Sequence, residues 1–501
     1  MKRGLLSDQL FRLLWAALIV LLPVTSFPFI VHIVGSDVVG LPSGILMGVM
    51  AMAWFLPAML KQGELPRSSL PLLGFVLAAV LSSALAVFRV IPPYKGHEPM
   101  RESITGLMTL GLGMVTFLVT SQWVKQPDQF KTTLRLLNYS GAFVLAWSVG
   151  QMVAWQLLGG YPRFMEVFHR FFSTGVLYKA RVTGLALEPS WYAHQLNLLY
   201  LPLWFSATVT QTSVHQKRVL GISVENVLFV IGVGVLFLTL SRVGYLSFLL
   251  MVGVVFLQIN GWLVKRVQDW IVSKFGKRKK PGQPEKRAIP WLRIGLTILL
   301  VIAYIGILAG AAMILGKVDA RMATLFQFEV NQDQWLYRYL GKLDLGPRVS
   351  FWLAGWNVFA EAPLFGVGLG NSGFYFMDAL PDFSWGFPEI RSLMLQGSSV
   401  LNPKNLWSRL LAETGILGFS LFTGWLVMMA QTARNLKNHS APAARQMGWM
   451  GLFVLAAMLT EGFSVDSFAL MYYWFSLGLV TASWSMAVHQ LEADITVGDC
   501  H

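Results

Sequence analysis

The chain has 501 residues, 55% of them hydrophobic and 13% charged, with a mean hydropathy of +0.57 and a formal net charge of +14. That apolar excess goes beyond what the core of a soluble domain needs, and it excludes an ordinary globular enzyme. The positive charge sits between apolar runs rather than on one face, as in basic cytoplasmic loops, so no nucleic-acid partner is inferred.

Runs of about 18 to 25 apolar residues recur, each long enough to cross a hydrocarbon core of about 30 Å. Backbone groups in lipid must be satisfied within their own segment, so the spans are predicted as helices. In chain order they cover 13–33, 41–60, 70–88, 104–121, 137–158, 189–208, 224–240, 244–263, 294–316, 405–429, 448–465 and 468–488. The expected fold is therefore all-α, a polytopic membrane protein of about twelve transmembrane helices in a single integral domain over 1–501. Met1-Lys2-Arg3 before an apolar run resembles a signal peptide, but the run is too long and lacks a small-residue cleavage site, so it is read as the first span. Cys500 is the sole cysteine, so no intrachain disulfide can form.

The interval 264–293 contains Lys277-Arg278-Lys279-Lys280, a block hard to translocate, which marks a basic cytoplasmic loop. Alternation then puts both termini, 61–67, 125–135, Lys217-Arg218 and 434–445 inside. The outward segments are about 34–40, 89–103, 159–188, the turn at Ser241-Arg242, a long loop over 317–404 and the Glu461 to Asp466 connection. Trp262, Trp270, Ile271 and Phe275 beside the basic block suggest an amphipathic helix on the inner membrane surface, in contact with anionic lipid. A plain solvated loop is the alternative there.

Three outward helix starts share one grammar: Glu188-Pro189-Ser190, Gly346-Pro347-Arg348 and Asn402-Pro403-Lys404-Asn405. Proline fits a first helical turn, where its missing N–H costs nothing. Each start then directs free N–H groups and a positive dipole end outward, and two add a cation. Arg242 brings another cation to the same side. Gathered together, such groups would suit a phosphate or pyrophosphate, for which the guanidinium fork is the best donor. The alternative for Arg181, Arg242, Arg348 and Lys404 is an interfacial side chain reaching for water. The aromatics of 317–404, Trp352 among them, fit either an interface belt or platforms for sugar rings. Glu461 and Asp466 lie near a membrane end and are expected to be solvated. His97, His169 and His194 show no metal-ligand spacing, and neither a metal nor a cofactor is inferred.

The ordered set Leu240-Ser241-Arg242-Val243-Gly244, Arg348 with Trp352, Pro363-Leu364-Phe365-Gly366-Val367-Gly368, Asn405-Leu406-Trp407 and Ala412-Glu413-Thr414-Gly415-Ile416-Leu417-Gly418 resembles the O-antigen ligase and polymerase superfamily. The resemblance implies a fold similar to the GT-C glycosyltransferases and a metal-independent reaction at the outer face of the bacterial cytoplasmic membrane. A glycan on undecaprenyl diphosphate would pass to an acceptor hydroxyl. Arg242 and Arg348 would hold the diphosphate, with Arg181, Trp352, Lys404 and Asn405 as substrate contacts. A chain-length regulator protein is a candidate partner.

Ligases of this superfamily carry His where this chain has Lys404, and Arg181-Val182-Thr183-Gly184-Leu185-Ala186-Leu187-Glu188-Pro189-Ser190 resembles a motif of exopolysaccharide and capsule polymerases. Polymerase is therefore favoured over ligase. Glu188 is then the expected general base, since partial burial raises a carboxylate towards the useful range; its alternative is a carboxylate placed by the dipole of the helix that follows. A transporter or flippase is the competing class, because Gly- and Pro-interrupted apolar helices also build transport sites. A cell-wall glycan polymerase is weaker still, as its motifs are not seen.

Overall fold

The computed structural model of the chain describes residues 2–35, 40–215, 218–275, 290–318 and 335–498. Lys217, the Lys277 to Lys280 block, residues 319–334 of the 317–404 interval and Cys500 lie outside the described residues. Among the described residues there are helices and two isolated β-bridges but no strand.

The longer α-helices are, in chain order, α1 (Lys2–Leu21), α2 (Pro28–Val34), α3 (Pro42–Met50), α4 (Leu56–Gln62), α5 (Leu70–Ala86), α6 (Pro99–Trp123), α7 (Pro127–Leu158), α8 (Arg163–Phe172), α9 (Pro189–Gln195) and α10 (Leu201–Thr210). They continue with α11 (Val224–Leu238), α12 (Arg242–Phe275), α13 (Pro290–Val318), α14 (Trp335–Lys342), α15 (Gly346–Glu361), α16 (Leu406–Lys437), α17 (Pro442–Glu461) and α18 (Tyr472–Gly498).

Among the described residues, six helical stretches are long and apolar enough to cross a membrane: Pro42–Lys61, Arg67–Ala86, Pro99–Trp123, Pro127–Leu158, Arg242–Val267 and Leu406–Lys437. Leu77, Met108, Phe143 and Val230 are exposed on their helices, as expected of side chains that face lipid. The segment expected as one span over 13–33 is instead two helices, α1 and α2, separated at residues 22–27. Pro23 removes a helical N–H there, and Ser26 turns inward to Ser173, their hydroxyls 3.1 Å apart.

The chain forms two compact units, one of residues 1–248 with 347–501 and one of 249–346. In the first, α16 packs against α17 and α5, α18 lies along α6, and α10 packs between α11 and α17. Its centre is aromatic: Trp425 stacks on Trp474 at 5.1 Å and meets Phe117 edge-on at 5.4 Å. In the second, Tyr304 of α13 stacks on Phe256 at 4.7 Å and its hydroxyl donates to the Leu249 carbonyl (2.9 Å). The expected amphipathic helix around Trp262 and Trp270 is no separate element, since α12 runs through both. Arg266 and Lys274 lie over the two indole faces, each at 4.9 Å.

The interval 317–404 is expected as a loop. Its described part is largely helical, with α14, α15 and short 3₁₀, α and π turns between Ser372 and Gln396. Two glycine-bearing motifs anchor it. Gly366 has φ +71°, and a Cβ there would sit 2.4 Å from the Glu413 carbonyl carbon; Gly415 has φ +62°, and its Cβ would sit 2.3 Å from the Leu364 oxygen. Only glycine permits both the left-handed conformation and this approach of two backbones. The Val367 and Gly368 N–H groups then donate to the carbonyls of Ala412 and Glu413 (2.9 and 3.0 Å). These motifs, part of the resemblance, thus lock residues 363–368 onto α16.

Candidate active site

The last turn of α17 and the connection after it, residues 459–466, are where the predicted residues converge. Arg348, in the first turn of α15, donates from Nη1 to Ser464 Oγ (2.8 Å), and the Ser464 N–H itself donates to the Glu461 carbonyl (2.9 Å). Trp352, one turn further along α15, packs against Phe463 at 5.4 Å, with its indole N–H buried and unpartnered among the described residues. From α12, Ser247 Oγ meets Thr460 Oγ1 at 2.7 Å. Ser241 caps that helix by accepting from the Gly244 N–H (3.3 Å), which places Arg242 in its first turn.

The start of α16 reaches the same turn. The Leu406 N–H donates to the Gly462 carbonyl (2.7 Å), and Trp407 Nε1 donates to the Leu459 carbonyl (3.2 Å). The expected helix start at Pro403 moves to Leu406. Asn405 is the true cap, its Oδ1 accepting from the N–H groups of Trp407 (2.8 Å) and Ser408 (3.2 Å), the task at which asparagine excels. Lys404 therefore lies before the helix, at φ +50°, in a conformation costly for a side chain with a Cβ. Asn402 supports it by accepting the Lys404 N–H at Oδ1 (3.2 Å). The Lys404 ammonium sits 5.0 Å over the Phe351 ring of α15 and 3.4 Å from Glu389 Oε1.

Arg181 and Glu188 occupy a neighbouring loop that belongs to the same end of the bundle. Arg181 Nε donates to the Thr239 carbonyl (3.0 Å), three residues before Arg242, and the Val182 N–H donates to the Leu238 carbonyl (3.1 Å). Gln151 of α7 pins the loop: its Oε1 accepts from the Thr183 and Gly184 N–H groups (3.1 and 3.2 Å) and its Nε2 donates to the Gly184 carbonyl (3.0 Å). Glu188 caps α9 with extended backbone, and its carboxylate accepts from the Ser190 hydroxyl. Burial raises the nearby Tyr178 phenol, Glu188 adds to that rise and Arg181 opposes it, so the three side chains share one electrostatic environment.

Glu461 and Asp466, expected to be solvated, are buried, with 2% and 8% of their surface exposed. Burial of a carboxylate demands compensating partners, and both have them. Glu461 Oε2 lies 3.3 Å from His194 Nδ1, and its Oε1 accepts from Asn197 Nδ2 (2.7 Å), which also reaches the Gly244 carbonyl of α12 (2.8 Å). Asn197 sits in the π turn Leu196–Tyr200 that joins α9 to α10. Asp466 Oδ1 accepts from Asn402 Nδ2 (3.2 Å), while Arg409 Nη1 donates to the Asp466 carbonyl (2.9 Å) and Arg409 Nε to Glu413 Oε2 (2.9 Å). Glu413 Oε1 accepts from Ser372 (2.8 Å). Burial pushes the Asp466 carboxyl above the usual carboxylate range, with Arg409 pulling the other way. These acidic and amide groups are the part of the site that sequence reading missed. The available signal was that two carboxylates flank a short connection between apolar runs.

The fold and site define an all-helical membrane protein with basic, aromatic and buried acidic groups collected at one end of its bundle. Residues 227–423 match the family model O-antigen ligase, Wzy_C, so the chain carries a domain of the O-antigen ligase and polymerase superfamily, whose enzymes are of glycosyltransferase type. The matched stretch holds Arg242, Arg348, Trp352, Lys404 and Asn405, whereas Arg181, Glu188, His194, Glu461 and Asp466 lie outside it. No curated protein matches the chain.

Proposed function

We propose that this protein polymerises oligosaccharide repeat units carried on undecaprenyl diphosphate into a surface polysaccharide, in the bacterial cytoplasmic membrane with its site facing outward. The supporting observation is the meeting at residues 459–466 of the helix starts that carry Arg242 and Arg348, with Lys404 beside them. In glycosyl transfer from a lipid diphosphate, negative charge grows on the leaving oxygen, and fixed donors in a poorly hydrated site stabilise it without reorganising. Arg242 and Arg348 would hold the diphosphate, with Arg181 and Lys404 as further cationic contacts and Trp352 as a face for a sugar ring. Asn405 would act through its cap, which fixes the backbone beside Lys404. A twelve-span, GT-C-like bundle accommodates this arrangement, and a chain-length regulator would be its natural protein partner.

Two measurements test this reading. Purified protein given lipid-linked repeat units, isolated from cells depleted of it, is expected to yield a ladder of longer lipid-linked glycans. A single transfer to a lipid A-core acceptor would instead make it a ligase, and movement of the donor across vesicles without a new glycosidic bond would make it a flippase. The orientation follows from the basic loop over 264–293. A cysteine placed at the exposed Asp382 in a variant whose Cys500 is replaced by Ser is expected to react with an impermeant maleimide from outside intact spheroplasts. Labelling only after lysis would overturn the outward site.

A further inference from the structure

Buried polar groups without partners are rare in folded proteins, and each needs a physical reason. Several gather beside the 459–466 turn among the described residues: His194 Nε2, Asn197 Oδ1, Asp466 Oδ2 and the hydroxyls of Tyr472 and Tyr473. His194 and Glu461 are both nearly sealed from solvent, at 3% and 2% exposure. Glu461 holds His194 through Nδ1 while Asn197 holds the other carboxylate oxygen. A carboxylate at Nδ1 favours the tautomer with its proton there, which leaves the Nε2 lone pair as an acceptor. Imidazole and carboxylate so arranged form the base half of a catalytic triad.

The geometry points to His194, oriented by Glu461, as the group that takes the proton from the acceptor hydroxyl, in place of Glu188. This rests on the glycosyl-transfer reading. The acceptor oxygen would form its bond to the anomeric carbon as the bond to the diphosphate oxygen breaks. That bond's electron pair stays on the diphosphate, beside Arg242 and Arg348, and the hydroxyl proton moves to His194 Nε2. Glu461 is a positioning residue that stabilises the resulting imidazolium. The pair is one helical turn from Ser464, the Arg348 partner, and Asn197 ties it to the first turn that carries Arg242. Glu188, by contrast, is engaged by Ser190 at the opposite end of α9. Tyr472 of α18 faces the pair, its ring 6.0 Å from the imidazole.

The experiment is the same polymerisation assay with His194→Asn, Glu461→Gln and Glu188→Gln proteins in nanodiscs. Asparagine can still donate to Glu461 from the Nδ1 position but lacks the base. Its turnover is expected to fall about 10²- to 10⁴-fold, the range for loss of a general base, with the KM for the donor little changed. Glu461→Gln still offers Nδ1 an acceptor but lacks the charge that stabilises the imidazolium, so its kcat is also expected to fall while the KM for the donor is little changed. A structural role for the pair would lower the amount of folded protein without lowering the kcat of what folds. Wild-type kcat in folded His194→Asn or in folded Glu461→Gln overturns the assignment. So does a dead Glu188→Gln beside active forms of the other two. Should His194→Asn fail to fold, the kcat of Glu461→Gln still decides. A wild-type protein that forms no glycosidic bond from this donor overturns the broader reading and the base with it.

Discussion

Arg348→Ala protein, folded and present at the wild-type level, is expected to lose about 10²- to 10³-fold in turnover, the usual result of removing one fixed donor to a developing oxyanion. Arg348 enters α15 in its first turn, so its guanidinium adds to the positive end of a helix dipole. Ser464 bonds one of its nitrogens and sets the direction of the fork without neutralising it. Arg348→Lys is expected to recover only part of the loss, since an ammonium cannot make the planar two-point contact with a phosphate. The check is the rate of polymer formation from purified lipid-linked repeat units, together with donor affinity. Near-normal polymer from the alanine variant would remove Arg348 from the diphosphate site.

The largest stability effect is expected at the Arg409 and Glu413 pair. Glu413 has 1% of its surface exposed and Arg409 8%, and Ser372 donates to the other Glu413 oxygen while Arg409 Nη1 donates to the Asp466 carbonyl. Removing one partner of such a buried pair strands the other charge, at a cost of about 3–5 kcal/mol. Glu413→Met should therefore lower the melting temperature in detergent sharply and loosen residues 363–368, which Gly366 and Gly415 lock to α16. Replacing both residues by Met should recover much of that loss, because an apolar pair of similar volume leaves no stranded charge. A Glu413→Met protein that melts with the wild type would show that the pair does not hold the segment.

Much of this architecture was legible in the sequence because period and composition report local structure. Apolar runs became helices, the prolines at 189 and 347 opened α9 and α15, and Arg242 landed in a capped first turn. Three features were not legible, for separate reasons. Asn405 and Pro403 both signal a helix start, and only the chain's path past Gly462 selects Asn405. The 317–404 interval lacks the long apolar run that marks a span, since its helices from Trp335 onward are at most 16 residues long. Glu461 was misjudged as solvated because its partner His194 lies 267 positions away in the chain; pairing at that range is a property of the fold and leaves no local pattern.

The π turn at Leu196–Tyr200 also bears on how this scaffold can change. Such a turn accommodates one residue more than an α-helix would over the same rise. Removing a residue there would restore regular winding and shift Asn197, which lies within the turn, from its present place. Asn197 and His194 could not then both face Glu461 while α10 kept its place against α17. The length of this helix is therefore under tighter restraint than its apolar composition implies. No residue from Pro189 to Thr210 is exposed, and an insertion or deletion of a single residue at the turn would disturb the contact between the imidazole and its carboxylate.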